Sequence, residues 1–443
     1  MALPDLIEIV PLTAPVRAEI TVPGSKSITN RALILAALAK GTVTLTGALW
    51  SEDTEIMFDC LQKLGFEVSQ QRDPDEPCNR TVTVQGHGGA VPHGGTEAQP
   101  LELFVGNAGT AARFLAPFLC LGSGVYRLHG VPRMHERPQA ALFLALRELG
   151  YRVEAEQGND KLPVKIWGKA ESEKRKVETR CTVSIVESSQ FASALLLSSK
   201  VGGWTIEIAG ENADESPYVV MTAKLMEAFP NQGGTFQIEP DASSGSYFWA
   251  AGWLFHRFLE SNPTEVAVKH WPQSGWQIDE LFRNSVQAPT GRLADTISRK
   301  TDLGDSVMTT IVMAPFNGQP VTFSDLGRLR VQECERVVAL RTELTRCGAK
   351  VEEAGDTLTV WPATLHGAEI ETYHDHRMAM CFAILGLKVP GIRIKNPACV
   401  KKTFPNFFQK LAGAPPHGLG AAIWEIKDGR RTRPLSGDDL FAD

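Results

Sequence analysis

The sequence predicts an α/β (α+β) architecture built from repeated units, on three observations. Strand-like segments with alternating apolar and polar residues recur along the chain. They alternate with runs whose apolar residues follow the helical period. Six of those runs are also entered through a loop of similar design, rich in small or polar residues, three in each half of the chain.

In order, the six are "GSKSITNRALILAAL" from Gly24, "GNAGTAARFLAPFL" from Gly106, "SSQFASALLL" from Ser188, "DASSGSYFWAAG" from Asp241, "DLGDSVMTTIVMA" from Asp302 and "YHDHRMAMCFAIL" from Tyr373. Ser, Thr, Asn and Asp stand where N-caps belong, and Ala, Leu or Met fall on the face to be buried. The strand segments are "RTVTVQG", "VKIWG", "WTIEIAG", "GTFQIEP", "PVTFSDL" and "DTLTVWPA". A second set of helices mixes an apolar stripe with charges and mostly stops near Gly: "SEDTEIMFDCLQKLGF", "RPQAALFLALRELGY", "SPYVVMTAKLMEAF" and "CERVVALRTELTRCGAKVEE". Residues 70–100 read as one strand between Gly/Pro-rich loops. Residues 411–443 read mostly as a tail, with "AIWEIKDGRRTRPL" as a candidate edge strand.

A chain of 443 residues, 43% hydrophobic and 22% charged, is long enough for two or three domains. The net charge of −6 argues against a general nucleic-acid binder, while a local basic pocket stays open. No apolar run approaches a membrane span, and "MALPDLIEIVPL" lacks the pattern of a signal peptide. The eight cysteines form no C-x-x-C pair and are expected to be reduced core thiols of a cytoplasmic protein.

The stretch "PGSKSITNR" looks like a phosphate loop but is not a Walker A loop, because Ser25 stands where a Gly must precede Lys26. Backbone N–H groups and the helix dipole still favour an anion where a loop enters a helix. Several such helix starts together would bind anions without making the protein basic. Basic residues cluster near them: Lys26, Arg31, Arg113 and Arg377 in the units, Arg133 and Arg137 in "PRMHERP", Arg330 and Arg336 in "RLRVQECER", and Lys401 and Lys402 in "CVKKTFP". Taken singly, each also fits a solvated surface cation. Two carboxylates stand among them, Asp305 in "LGDSVMT" and Glu333 in "RVQECER". Carboxylates in a cationic pocket suit proton transfer; an N-cap and a surface ion pair are the plainer alternatives. His374 and His376 have no evident partners for a metal, and Cys334 has no His tied to it as a nucleophile would.

These motifs, together with "KKTFPNFF", occur in an order that closely resembles the 5-enolpyruvylshikimate-3-phosphate synthase family over roughly residues 10 to 411. The resemblance implies a two-domain enolpyruvyl transferase fold of six βαβαββ-type repeats, three per domain. One domain would hold residues 1–24 and 239–443, the other residues 25–238, with substrates bound in a closing cleft between them. It implies transfer of the enolpyruvyl group of phosphoenolpyruvate to the 5-hydroxyl of shikimate 3-phosphate, with release of phosphate. That step belongs to the shikimate pathway of aromatic amino acid biosynthesis. No metal or organic cofactor, nucleic acid or membrane is implied, and the expected state is a monomer.

Residue by residue, the resemblance implies that Lys26 contacts both substrates and helps stabilise the adduct. Asp305 takes the 5-hydroxyl proton and Glu333 exchanges protons at C3. Phosphoenolpyruvate falls to Lys26, Gly109, Arg133, Gln190, Arg336, Arg377 and Lys402. Shikimate 3-phosphate falls to Lys26, Ser27, Arg31, Ser188, Ser189, Gln190, Tyr218, Asp305 and Gln332. The chain departs from the family pattern at Gln332, where a Lys is usual, at Glu215, where a Ser is usual, and at Phe114, where a Pro is usual. Arg328, four residues before Gln332, is a candidate to replace the missing cation. An enolpyruvyl transferase acting on a different cyclitol acceptor, for example an unphosphorylated one, and a non-catalytic relative are the competing readings.

Overall fold

All six loop-entered runs form helices in the computed structural model, which describes residues 3–169, 179–210, 216–256, 265–287 and 291–442. They are Lys26–Leu38, Gly109–Cys120, Gln190–Gly202, Ala242–His256, Val307–Met313 and His376–Gly386. Lys26–Leu38 is buried from Ile28 onward, and Gly109–Cys120 along its whole length. Burial on every side explains why these helices carry Ala, Leu and Phe all round rather than on one stripe. Phe114, Phe118 and Phe382 are fully buried, each contributing about 1.5–3 kcal/mol by leaving water. The second set, Glu52–Lys63, Ala140–Glu148, Pro217–Ala228 and Arg336–Arg346, keeps a polar face exposed.

The chain divides into two compact units, Met1–Pro23 with Pro240–Asp443, and Gly24–Glu239. Among the described residues, each unit carries three sheets. In Gly24–Glu239, the first sheet has the order Gly234–Gln237, Thr42–Leu49, Asn79–Gln85, Val68–Arg72, and the second has Leu101–Phe104, Val125–His129, Val164–Trp167, Val153–Ala155. The third pairs Arg180–Ser184 in parallel with Thr205–Ala209. The other unit repeats the pattern, with four strands ordered Thr296–Ser298, Val321–Ser324, Thr357–Val360, Val351–Ala354 and a parallel pair, Arg17–Ile20 with Glu265–Val268.

The C-terminal segment corrects the expectation of a tail. Ile423–Lys427 and Arg430–Leu435 form a hairpin that completes a five-stranded sheet. Ile423–Lys427 pairs antiparallel with Leu6–Ile9, whose other edge takes Ile392–Lys395. Leu419, Ile423, Leu435 and Leu440 are buried in the core of the unit, so residues 411–442 are structural. Residues 70–100 hold strand Asn79–Gln85 as expected, and Val68–Arg72 pairs with it as a second strand.

Candidate active site

The predicted residues fall into two sets, one in each unit. In Gly24–Glu239, helices Lys26–Leu38, Gly109–Cys120, Gln190–Gly202 and Pro217–Ala228 pack on one another. Their polar first turns are tied together by side chains. Lys26 Nζ lies 3.1 Å from Asp53 Oδ2, and Asp53 is almost wholly buried at the start of helix Glu52–Lys63. Asn30 Nδ2 donates to Thr110 Oγ1 at 2.6 Å, and Arg113 Nη1 to Gln190 Oε1 at 3.0 Å.

Arg31 is buried and fully directed. Its Nε donates to Thr222 Oγ1 at 2.8 Å, Nη1 to the Ser27 carbonyl at 2.8 Å, and Nη2 to Ser193 Oγ at 3.1 Å and the Tyr218 carbonyl at 3.4 Å. The guanidinium also sits 5.0 Å over the Phe114 ring. Burial pushes its pKa down to about 10, which leaves it charged at neutral pH. Ser188 Oγ accepts from the Gln190 amide at 3.2 Å, and Ser189 is buried at the N-cap of helix Gln190–Gly202. Ser216, buried, stands at the N-cap of Pro217–Ala228; Glu215 lies outside the described residues.

Gly109 opens helix Gly109–Cys120 where two arginines converge. A methyl group there would lie 2.6 Å from Arg113 Nη1 and 2.8 Å from Arg137 Nη2. Arg137 is buried and donates to the Asn107 carbonyl at 3.2 Å. Arg133 Nη1 pairs with Glu136 Oε2 at 2.7 Å, with side chains 39% and 63% exposed. The geometry therefore favours Arg137 over Arg133 as the arginine beside Gly109. Both stand in one short motif, and only the path of the chain out of helix Pro132–Glu136 separates them.

The second set lies in Met1–Pro23 with Pro240–Asp443. Helices Ala242–His256, Val307–Met313 and His376–Gly386 pack together, and Ser246 Oγ and Thr309 Oγ1 lie 2.9 Å apart between the first two. Asp241 and Asp375 cap their helices through the amides of Ser244 and Arg377. Ser25, Ala108, Ser189 and Ser306 make no side-chain cap bond at theirs.

Here each cation meets a carboxylate. Asp305 Oδ1 accepts from Arg299 Nη2 at 2.7 Å, while Oδ2 lies 3.3 Å from Arg377 Nη2. Glu333 lies between Arg336 Nη2 at 2.9 Å and Lys402 Nζ at 3.6 Å. Arg336 is buried and makes a two-pronged pair with Asp375, at 2.7 Å and 3.1 Å. It also donates to Gln332 Oε1. Arg377 Nη1 donates to Ser243 Oγ.

Burial alone would raise the pKa of Asp305, but Arg377, Arg299 and Arg336 outweigh it and hold the carboxyl well below its usual range. Asp279 lies nearby, with Oδ1 accepting from the Ser306 amide at 2.7 Å. Burial, and then the charge of Asp305, raise its pKa. Burial opposes the charge on Arg336, yet Asp375 and Glu333 keep it firmly protonated. Cys334 Sγ donates to Asp375 Oδ2 at 3.5 Å. Burial and Asp375 raise its pKa, which makes it a poor nucleophile.

Sequence reasoning missed Asp53, Asp279, Arg299 and Asp375, and named Arg113 and Arg137 only among the nearby cations. Asp375 sits inside "HDHR" beside the two histidines, and Arg299 shortly precedes the "DLGDS" loop. Helix starts with cations and paired carboxylates suit a small, multiply charged anionic substrate and proton transfer next to it.

The fold is that of the enolpyruvyl transferases. An EPSP synthase from Acinetobacter baumannii superposes with a TM-score of 0.70 at 21% identity, covering 94% of this chain and 99% of that one. The enolpyruvyl transferase NikO from Streptomyces tendae gives 0.66 at 14% identity, covering 95% and 98%. Sequence relatives are closer. The chain is 38% identical to a 3-phosphoshikimate 1-carboxyvinyltransferase of Trichormus variabilis, over 92% of this chain and 98% of the relative. It is 37% identical to one of Pseudomonas syringae pv. syringae, over 92% and 97%. The model of the family EPSP synthase (3-phosphoshikimate 1-carboxyvinyltransferase) matches residues 11–411. The chain belongs to that family.

Proposed function

We infer that the chain transfers the enolpyruvyl group of phosphoenolpyruvate to the 5-hydroxyl of shikimate 3-phosphate and releases phosphate. It thereby serves the shikimate pathway and aromatic amino acid biosynthesis. The observation that carries the residue roles is that Asp305 and Glu333 are each flanked by two cations. Asp305 accepts the 5-hydroxyl proton, and the oxygen attacks C2 of phosphoenolpyruvate as Glu333 protonates C3. Glu333 then takes a proton back from C3, the double bond re-forms and the C2–O bond to phosphate breaks. Lys26, Arg137, Arg336, Arg377 and Lys402 hold the carboxylate and phosphate charges through this sequence, and Gly109 keeps the approach to Arg113 and Arg137 open. Ser27, Arg31, Ser188, Ser189, Gln190 and Tyr218 hold the acceptor.

At Gln332 the usual cation is replaced by an amide that accepts from Arg336. Arg328, in the turn Gly327–Val331, supplies the charge for the acceptor in its place. We place the enzyme in the cytoplasm, working as a monomer. No described helix is long and apolar enough to cross a membrane.

Phosphate release from phosphoenolpyruvate, measured with shikimate 3-phosphate and with unphosphorylated shikimate, tests the assignment. The phosphate ester is expected to be turned over with a kcat/KM at least about 100-fold higher, since several charge-assisted bonds are at stake. Equal use of both acceptors would transfer the assignment to a different cyclitol.

A further inference from the structure

Two guanidinium groups hold Asp305, and they differ in what else they do. Arg377 reaches Oδ2 at 3.3 Å from the first turn of helix His376–Gly386 and also donates to Ser243. Under the function proposed above, on which this inference rests, it has phosphoenolpyruvate to bind as well. Arg299 has no such second duty. It follows strand Thr296–Ser298, is 7% exposed, and donates to Oδ1 at 2.7 Å.

The turn that carries Arg299 is closely tied. The Arg299 amide donates to the Ser324 carbonyl at 3.1 Å. The Ser298 amide donates to Asp302 Oδ2 at 2.8 Å, and Ser298 Oγ accepts from the Lys300 and Thr301 amides at 3.0 and 3.1 Å. The Asp302 and Leu303 amides both donate to the Ser298 carbonyl at 3.1 Å. Such a turn presents its arginine in a fixed place.

We propose that Arg299 is a positioning residue for the reaction: it keeps Asp305 Oδ1, so that the carboxylate stays aimed while phosphoenolpyruvate draws Arg377 away from Oδ2, the oxygen that then accepts the 5-hydroxyl proton. The O–H bond of the acceptor breaks, the proton goes to Oδ2, and the electron pair stays on the oxygen that bonds to C2.

The charges facing Asp305 are Arg299 from its turn, Arg377 and Arg336 from the first turns of their helices, and Asp279 from the turn Ile278–Leu281. Without substrate the three cations hold Asp305 well below the usual carboxylate range, despite burial, and make it a poor base. A substrate anion on Arg377 cancels part of that field and raises the proton affinity of Oδ2 when the acceptor hydroxyl is present. The base is thereby switched on by the anion it must act beside.

The test compares Arg299→Gln and Arg299→Lys, reading kcat, both KM values and the pH dependence of phosphate release. Arg299→Gln is expected to lower kcat about 100-fold or more, with the KM for phosphoenolpyruvate within about threefold. The acid limb of kcat/KM should move up by about one pH unit or more, because one of three cations is gone. Arg299→Lys should restore most of both. A kcat loss with an unmoved acid limb, or no rescue by lysine, would overturn the proposal and leave a plain structural ion pair. Isotope-edited infrared titration of the Asp305 carboxyl, with Asp305→Asn as the blank, reads the same hold without turnover. Phosphoenolpyruvate should raise its apparent pKa in the wild type and in Arg299→Lys; no change would also overturn the proposal. If Asp305→Asn keeps wild-type turnover, the base assignment itself fails, and the infrared result still decides whether Arg299 and phosphoenolpyruvate control that carboxyl.

Discussion

The two units tie their helix starts together with different chemistry. In Gly24–Glu239 the cross-links run from amides and cations to neutral oxygens: Asn30 to Thr110, Arg31 to Thr222 and Ser193, Arg113 to Gln190. Asp53 on Lys26 is the carboxylate among these ties. In the other unit Arg299, Arg336, Arg377 and Lys402 all lie against carboxylates. The first arrangement leaves positive potential for an anion. The second balances its charge internally, so an anion must compete for the cations, but its carboxylates can move protons. Moving protons asks for carboxylates, and in the function proposed above these come from Pro240–Asp443, while cations of both units hold the substrates.

The largest expected effect removes the proton-moving carboxylates. Asp305→Asn and Glu333→Gln should each fold normally and lose roughly 10³-fold or more in kcat, with KM values changed little. Rapid-quench assays beside circular dichroism check this; a variant with near-normal turnover loses its assigned role.

Stability should separate the units next. Arg336→Met strands the buried Asp375 and should cost about 3–5 kcal/mol. Arg31→Met strands hydroxyls and carbonyls and should cost about 1–3 kcal/mol. Urea midpoints of the two variants decide, and equal losses would erase the contrast.

Within Gly24–Glu239, Arg137→Ala should raise the KM for phosphoenolpyruvate tenfold or more, since a bond to a charged group contributes about 1.5–3 kcal/mol. Arg133→Ala should change it less than about threefold. In the other unit, Arg328→Ala should raise the KM for shikimate 3-phosphate about tenfold, and Gln332→Lys in that background should recover part of the loss. An unchanged KM would return Arg328 to the solvated surface.

The smallest effect concerns pH. Asp305 has a depressed folded-state pKa, so its stabilisation is complete above the ordinary carboxylate value near ~4 and fades as pH falls toward the folded value. Asp279, shifted upward, acts in the opposite sense. The stability difference between wild type and Asp305→Asn should therefore be greatest near neutrality and shrink as pH falls below about 4. Urea titrations at several pH values would show it, and a difference that grows on acidification would contradict the ion pairing.

The sequence made the six helices legible because helical period and entry loops are short-range signals. The mixed α/β fold followed from them. The candidate site was legible as a cluster of charged residues wherever one stood in a recognisable motif, as Lys26, Asp305 and Glu333 do. Arg299 and Asp375 were not, because their roles arise from ion pairs that only tertiary packing creates. Arg133 and Arg137 lie four residues apart in one motif, and spacing cannot say which turns toward Gly109. The C-terminal segment was read mostly as a tail, with "AIWEIKDGRRTRPL" only a candidate edge strand, for a similar reason. Its pairing partner is Leu6–Ile9, at the other end of the chain, and no local pattern announces it.

The C-terminal hairpin also bears on the order in which the protein can be made. Strand Leu6–Ile9 emerges before the other strands described, and its partners Ile392–Lys395 and Ile423–Lys427 come about 380 residues later or more. At ~5–20 residues per second the first strand waits roughly 20–80 s for a neighbour. Gly24–Glu239, by contrast, is one continuous stretch whose sheets need nothing made after it. Ribosome-bound chains halted before residue 392 should accordingly protect Gly24–Glu239 from protease while the first strand stays open to cleavage. Nascent chains would thus carry a finished Gly24–Glu239 unit alongside an unpaired apolar strand, for which a cell's chaperones are the natural custodians until the hairpin Ile423–Leu435 arrives.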